Sequence, residues 1–562
     1  MPIDPKLVGP WVTRAFAFGV GLLGLAYVLP GHFVPWDAFN QQWLAAMGGG
    51  LMAVAALGSS GQTDRGWPWF VWVLFLLAVT APIQLALGQI HYRVDALMPV
   101  LYLCGMGLMV SAGRDLAGGA GQAADGRVDA VFRMLWMAAM VSTAIALAQW
   151  LGLMRSGVLV SSLPPAGRPF GNLAQVNHHA TLLVLGMVGL VHEFERRRLS
   201  GPVVALAAGW LTFGLAMAQT RTSWLALALL VAWWFYWRAR VGLRLPRVAV
   251  ASLLLALVLG TLAFEPVSRL LLLAEPPNIA ARLDAGPRSE MWLGMARAVW
   301  MQPWSGWGWN QVAIAHAHVA TDHAAGHRLI QSAHSVLLDL PLAVGVPVAL
   351  TVLGLFAVWL RARCLACVTG TQWALLAALM ALCAHALVEY PLEYSYFLIP
   401  FGLFAGLLEG LQSVVPGPRP PRAVHPAALS LVFAMTIWLG IEYMNIEAHS
   451  RTVRLSLLGV GTTKAAYAGM PKPQLLDALA DELKFMMTPG RPNMTSTELA
   501  DMKAISQRFP TPPAMLRYAL AAGLNGQSED AVVTLRRLCH MHLHDRCAEA
   551  RTAWREAQAQ HP

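Results

Sequence analysis

The sequence predicts an all-α protein that crosses a membrane many times, and three observations carry that reading. Hydrophobic residues make up 57% of the chain and charged residues only 12%, with a mean hydropathy of +0.52. A soluble chain of this size carries about a quarter charged residues. Leu, Val, Ala, Trp and Met gather in blocks of roughly 18–22 residues, the length a helix needs to cross ~30 Å of hydrocarbon. Arg and Lys, finally, collect in alternate loops between those blocks.

In chain order the blocks place spans near 11–30, 41–58, 67–88, 94–112, 130–152, 174–194, 201–218, 220–237, 247–265, 333–360, 371–390, 394–412 and 424–444. The first lacks the short apolar core and small-residue cleavage site of a secretory leader, so it is read as a retained helix. The basic clusters are Lys6 with Arg14, Arg65, Arg114 to Arg133, Arg196 to Arg198, Arg238 to Arg247, Arg361 with Arg363, and Arg419 with Arg422. The intervening short loops hold few cations, such as Arg93, Arg155, Arg168 and Arg221. Basic loops stay on the cytoplasmic side. The N-terminus is therefore expected in the cytoplasm, with the loop 266–332 and the tail after Glu442 outside; an odd number of spans agrees. The net charge of +10 thus reports membrane orientation, and nucleic acid is not an expected partner.

Four regions follow: a first transmembrane block (1–265), a long outside loop (266–332), a second transmembrane block (333–444) and a polar tail (445–562). Within the loop, Ser289 to Trp300 has apolar residues at helical spacing, which predicts an amphipathic helix lying on the membrane surface. The tail shows helical periodicity over 474–487, 495–508, 513–523, 528–541 and 546–558, with Pro and Gly between. The stretch from Tyr518 to Ala531 resembles the turn of a tetratricopeptide-like hairpin, in too few copies for a solenoid. Cys104 and Cys383 fall inside spans and read as packing residues. Cys364 and Cys367 form a CxxC without a second ligand pair. Cys539 and Cys547 lie in the outside tail and are a disulfide candidate.

His334 is the first candidate for chemistry. It ends the polar loop, in Gln331-Ser-Ala-His-Ser335, and leads into an apolar helix. A neutral imidazole titrates near physiological pH and can take a proton from a hydroxyl; a locally hydrogen-bonded helix start fits the same residue. Asp339, five residues on, reads as a folding or orienting group. Arg221 sits between two apolar spans, where a guanidinium usually faces a cavity or an anion. Arg288 opens the amphipathic helix, whose backbone N–H groups also favour an anion. Two planar guanidinium groups suit phosphate oxygens, while pairing of Arg288 with Glu290, or snorkelling, is the plainer reading.

A third cluster is Arg168, Asn172, Gln175, Asn177 and His178 with His179, at the start of the sixth span. Amides and imidazoles there either line a polar cavity or bond helix to helix. Glu389, Tyr390 and Tyr394, with His385 a turn earlier, form an outer connection that suits sugar binding or an interfacial belt. Trp307 and Trp309, in Trp304-Ser-Gly-Trp-Gly-Trp-Asn310, suit sugar stacking or bilayer anchoring. His316, His318, Asp322, His323 and His327 match no closed tetrahedral spacing, so no metal is assigned. There is also no nucleotide-binding loop.

These residues carry a resemblance. GNLAQVNHHA (171–180), AQTRTSWLA (218–226), RSEMW (288–292), QPWSGWGWNQV (302–312), AHSVLLDLPLAVGVP (333–347) and HALVEYPLEYSYF (385–397) together resemble the O-antigen ligase/polymerase superfamily, and within it the bacterial protein O-oligosaccharyltransferases that glycosylate pilins. Val176 stands where members commonly have Pro. The resemblance implies a GT-C-type glycosyltransferase fold and an undecaprenyl diphosphate-linked oligosaccharide donor, with no metal or other cofactor. By motif it makes His334 the group that activates the acceptor hydroxyl, and Arg221 and Arg288 the diphosphate grip. The helical tail resembles the extra region of the protein-modifying branch, which favours a pilin-like protein over lipid A–core as acceptor. The expected site of action is the outer face of the bacterial inner membrane.

Overall fold

In the computed structural model, the described residues are 10–59, 66–117, 122–153, 159–164, 167–273, 286–322, 326–412, 417–418, 420–421, 423–460 and 469–560. Those residues form helices and no strand. In order they are α1 (Pro10–Ala26), α2 (Phe39–Ser59), α3 (Trp69–Ala86), α4 (Arg93–Ala117), α5 (Gln122–Trp150), α6 (Val176–Glu195), α7 (Gly201–Ala218), α8 (Arg221–Trp237), α9 (Arg247–Leu270), α10 (Gly286–Met301), α11 (Val312–Val319), α12 (Val336–Val344), α13 (Val346–Leu365), α14 (Gly370–Ala386), α15 (Ser395–Leu411), α16 (Val424–Leu457), and the tail helices α17 (Asp477–Met487), α18 (Ser496–Arg508), α19 (Pro512–Leu524), α20 (Ser528–Met541) and α21 (His544–Gln560). Eight of them (α2 to α5, α7, α9, α13 and α16) are long and apolar enough to cross a membrane, and α1, α14 and α15 are shorter apolar helices. This is an all-helical polytopic membrane protein.

The chain divides into two compact units whose segments interleave. One comprises residues 1–76, 102–283 and 355–436; the other comprises 77–101, 284–354 and 437–562. In the first, helices approach closely through small residues, as expected where no water drives association. A side chain at Gly19 of α1 would meet the Gly48 carbonyl of α2 at 2.6 Å, and one at Gly406 of α15 would meet the Val110 carbonyl of α4 at 2.1 Å.

In the second unit, α10, α11 and α12 share a core of Met291, Met295, Ala298, Val312, Val319 and Leu342. The apolar face of α10 is therefore covered in part by protein rather than by the membrane alone. Trp292 is turned inward, while Trp300 and Trp304 stay about 80% exposed. The continuous span expected over 333–360 is instead two helices, α12 and α13, broken at Gly345. That residue has φ +80°, and a side chain on it would lie 2.2 Å from the Trp304 carbonyl. Backbone bonds from Val346 to Pro303 (2.7 Å) and from Trp307 to Leu342 (2.6 Å) close the same junction. His334 thus precedes a short helix, not the long apolar one.

The tail helices are punctuated by their own caps. Thr495 and Glu498 form a capping box at α18, and Thr511 caps α19 ahead of Pro512. Asp477 accepts from the backbone of Arg93 (2.8 Å) and Val94 (3.1 Å). Arg508 grips Asp95 with two bonds of 2.7 Å, and Asp95 is 2% exposed.

Candidate active site

His334 lies in a turn built around one carboxylate. Asp339, in the first turn of α12, accepts from Ser332 Oγ (2.9 Å), Ala333 N (2.6 Å) and Ser335 N (3.2 Å), while His334 N donates to Ser332 Oγ (3.0 Å). Within that clasp His334 adopts a left-handed backbone, φ +52°, a conformation that non-glycine residues visit only when surroundings impose it. The carboxylate of Asp339 thus holds the backbone of the turn that carries His334. His334 itself is half-buried.

Arg288 shares this neighbourhood through α10. It sits one turn before Trp292, on the same helical face, and Trp292 Nε1 donates to the Ala333 carbonyl at 2.9 Å. A cation at a helix N-terminus and an imidazole are thereby tied to adjoining pieces of one unit. Trp307 and Trp309 have their indole N–H groups committed, to Ala298 O (2.8 Å) and Thr80 Oγ1 (2.8 Å). Trp307 thus serves the loop's own assembly and Trp309 ties the loop to α3; Trp300 and Trp304 are the exposed aromatic faces.

The other candidates belong to the first unit. Arg221 is the first residue of α8 and is exposed, behind Thr220, whose hydroxyl accepts from Ser223 N. The tight α7–α8 turn is possible because Gln219 takes φ +48°. Arg168 secures that turn by donating to Ala218 O (3.2 Å) and Gln219 O (2.7 Å). Gln175 is the N-cap of α6, accepting from His178 N (3.2 Å), and α6 starts at Val176.

Asn172 is fully buried, and its amide is spent on Val28 O, Leu159 O and Ser161 N. It is a staple between segments and offers no free group to a substrate. Asn177 donates to Glu389 (2.8 Å), a carboxylate only 2% exposed. Tyr390 and Tyr394 stack at 5.9 Å between centroids. His178 is buried; its Nδ1 lies 2.8 Å from the Tyr396 hydroxyl and its ring 4.3 Å from that of Tyr394.

Several members of this polar interior escaped the sequence reading. Tyr396 accepts at its carbonyl from the Tyr27 hydroxyl. Gln42 accepts from the Tyr102 hydroxyl (2.7 Å). Thr181, also unnamed there, has its Oγ1 2.8 Å from Nδ1 of His385, a residue the sequence did single out. The available signal was polar and Tyr residues inside apolar blocks, which are costly in lipid unless they serve a site or a contact.

Outside these clusters, Cys539 and Cys547 are joined as a disulfide with Cα atoms 4.7 Å apart, while Cys364 and Cys367 are free thiols. His316 is buried beside His542; burial pushes its imidazole down to about 4, so it stays a neutral acceptor for Ile330 N (3.3 Å). Among the described residues no three His, Cys, Asp or Glu side chains are grouped to hold a metal; His323 lies outside them.

Comparison with known proteins adds what geometry alone does not. The O-antigen ligase family model matches residues 204–353, the protein glycosylation ligase model residues 169–191, and the model described as virulence factor membrane-bound polymerase, C-terminal, residues 373–558. The chain is 26% identical over 541 residues to a general O-oligosaccharyltransferase of Acinetobacter baylyi, covering 93% of this chain and 92% of that protein. It is 23% identical over 520 residues to a ComP-specific O-oligosaccharyltransferase of the same organism, covering 89% and 90%. The matched stretches hold the His334 turn, Arg221, Arg288 and the Asn177–Glu389 pair, and the likeness runs nearly end to end. The chain is a multi-pass membrane glycosyltransferase, similar over nearly its whole length to O-oligosaccharyltransferases and over residues 204–353 to the O-antigen ligase family model.

Proposed function

We propose that the protein transfers an oligosaccharide en bloc from undecaprenyl diphosphate to Ser or Thr hydroxyls of periplasmic proteins such as a pilin, at the outer face of the bacterial inner membrane. His334 takes the proton from the acceptor hydroxyl. The hydroxyl oxygen bonds to the anomeric carbon as the bond from that carbon to the diphosphate oxygen breaks, with inversion. Arg221 and Arg288 bear the negative charge that builds on the departing lipid diphosphate, where cationic contacts count most. Asn177, Glu389, Tyr390 and Tyr394 offer hydrogen bonds and a ring stack suited to sugar. No metal or other cofactor takes part.

The observation that carries this reading is the Trp292–Ala333 hydrogen bond, which ties the Arg288 helix to the His334 turn. The tail of five helices, in a chain whose relatives are oligosaccharyltransferases along their full length, supports a protein acceptor. A second reading has its own support: the match over 373–558 is to a family described as a polymerase, which fits extension of lipid-linked glycan without any protein. The test is transfer by the purified enzyme in lipid nanodiscs, supplied with lipid-linked glycan and either a pilin-like protein, lipid A–core or no second acceptor, with and without EDTA. Glycosylated protein unaffected by EDTA is expected. Product on lipid A–core alone, or longer lipid-linked glycan alone, would replace the protein acceptor; loss of transfer under EDTA would restore a metal.

A further inference from the structure

The segment leading into His334 is held from a second side, by the tail. His327, seven residues before His334, has a left-handed backbone (φ +48°). Its N–H donates to the His540 carbonyl (3.0 Å) and its ring Nδ1 lies 2.8 Å from the His542 carbonyl, so that nitrogen carries the proton and donates. Its ring also packs on that of His544, with centroids 4.0 Å apart. All three partners fall between Cys539 and Cys547, which are disulfide-bonded. The bend they occupy joins α20 to α21.

This bend is anchored in turn. His542 Nε2 lies 2.8 Å from the Pro510 carbonyl, and two residues before Pro510 is Arg508, locked onto buried Asp95. Three residues beyond His327, Ile330 donates to His316, and from Ser332 onward the Asp339 clasp takes over. The loop therefore has fixed points on both sides of His334, and the outer one belongs to the tail. A free helix–helix bend frays easily; the cross-link keeps the two carbonyls and the His544 ring at fixed spacing.

We propose that His327 is a positioning residue for glycan transfer, and that the disulfide-closed bend 539–547 is the tail element through which it acts. The tail then sets the placement of His334. This rests on the reading of His334 as the base.

The test compares the full-length enzyme with His327→Ala, His327→Asn, the Cys539→Ser/Cys547→Ser pair and the triple variant, in single-turnover transfer and hydrogen exchange. His327→Ala is expected to lower kcat at least tenfold with donor KM within twofold, and to speed exchange over 326–335. Asn accepts a left-handed backbone and its amide replaces the ring donor, so His327→Asn should recover activity to within about threefold. The cysteine pair should copy His327→Ala, and the triple variant should be no worse, because the two changes release one contact set. Wild-type kcat in His327→Ala, an Asn variant as poor as the Ala variant, or additive losses would overturn the proposal. His334→Ala, run alongside, separates the two ideas: full transfer there sinks the base reading, whereas wild-type exchange in His327→Ala sinks the tail clamp.

Discussion

Replacing Asp339 with Ala should cripple transfer without unfolding the protein. Its carboxylate takes three hydrogen bonds from the turn around His334, at 2.9, 2.6 and 3.2 Å. Bonds to a charged acceptor contribute roughly 1.5 kcal/mol each at the low end, so the clasp holds the turn by about 4 kcal/mol. Against it stands the left-handed backbone of His334 (φ +52°), which costs a non-glycine residue roughly 1–2 kcal/mol. With the carboxylate present, the clasp wins and nearly every molecule has the turn formed. Without it the conformer is uphill by about 1–2 kcal/mol and populated roughly 3–15% of the time. Turnover should fall about 7- to 30-fold, with donor KM little changed, because the bonds Asp339 accepts come from the His334 turn. Asp339→Asn keeps one acceptor oxygen and should fall between. Transfer rates over a range of lipid-linked donor concentrations, up to saturation, measure both quantities. A wild-type rate in Asp339→Ala, or a loss confined to donor KM, would refute the clasp argument.

Arg221→Ala and Arg288→Ala should each raise donor KM or lower kcat/KM by about 10- to 150-fold, the worth of one charged hydrogen-bonding group at roughly 1.5–3 kcal/mol; donor titration checks it, and Lys at either position should recover only part because it lacks the planar fork. Arg508→Ala strands the buried Asp95 carboxylate and should destabilise the unit by about 3–5 kcal/mol, read as a lower melting temperature and earlier proteolysis of the tail. Burial pushes the Glu482 carboxyl up to about 7, partly opposed by Arg508. A raised folded-state pKa favours folding fully below the unfolded value near 4.3 and loses that contribution as pH climbs through about 7. Glu482→Gln should therefore stabilise the tail at pH 8 by up to about 3 kcal/mol and change little at pH 4.5, seen in melts at the two pH values.

Much of the fold was legible because hydropathy acts locally. The helices from Pro10–Ala26 to Arg247–Leu270 fall where the apolar blocks do, and the tail helices fall where Pro and Gly divide the periodicity. The break at Gly345 was not legible, since it depends on the Trp304 backbone pressing from a distant loop. The candidate site shows the same divide. His334, Arg221 and Arg288 stand out as polar residues at helix starts beside apolar runs. Asn172 and Gln175 look identical in sequence, yet one is a buried staple and the other a helix cap, because burial and partners decide what an amide does. The Arg508–Asp95 pair, 413 residues apart, and the grip of the 539–547 bend on His327 exist only in three dimensions. A charge or an imidazole in a sequence does not announce its partner.

The most direct measurement is single-turnover transfer by purified His334→Ala, with donor binding and melting temperature recorded on the same preparation. The account predicts an intact fold, donor binding close to wild type and glycan transfer reduced to background. Acceptor glycosylation at the wild-type rate by that variant would contradict it.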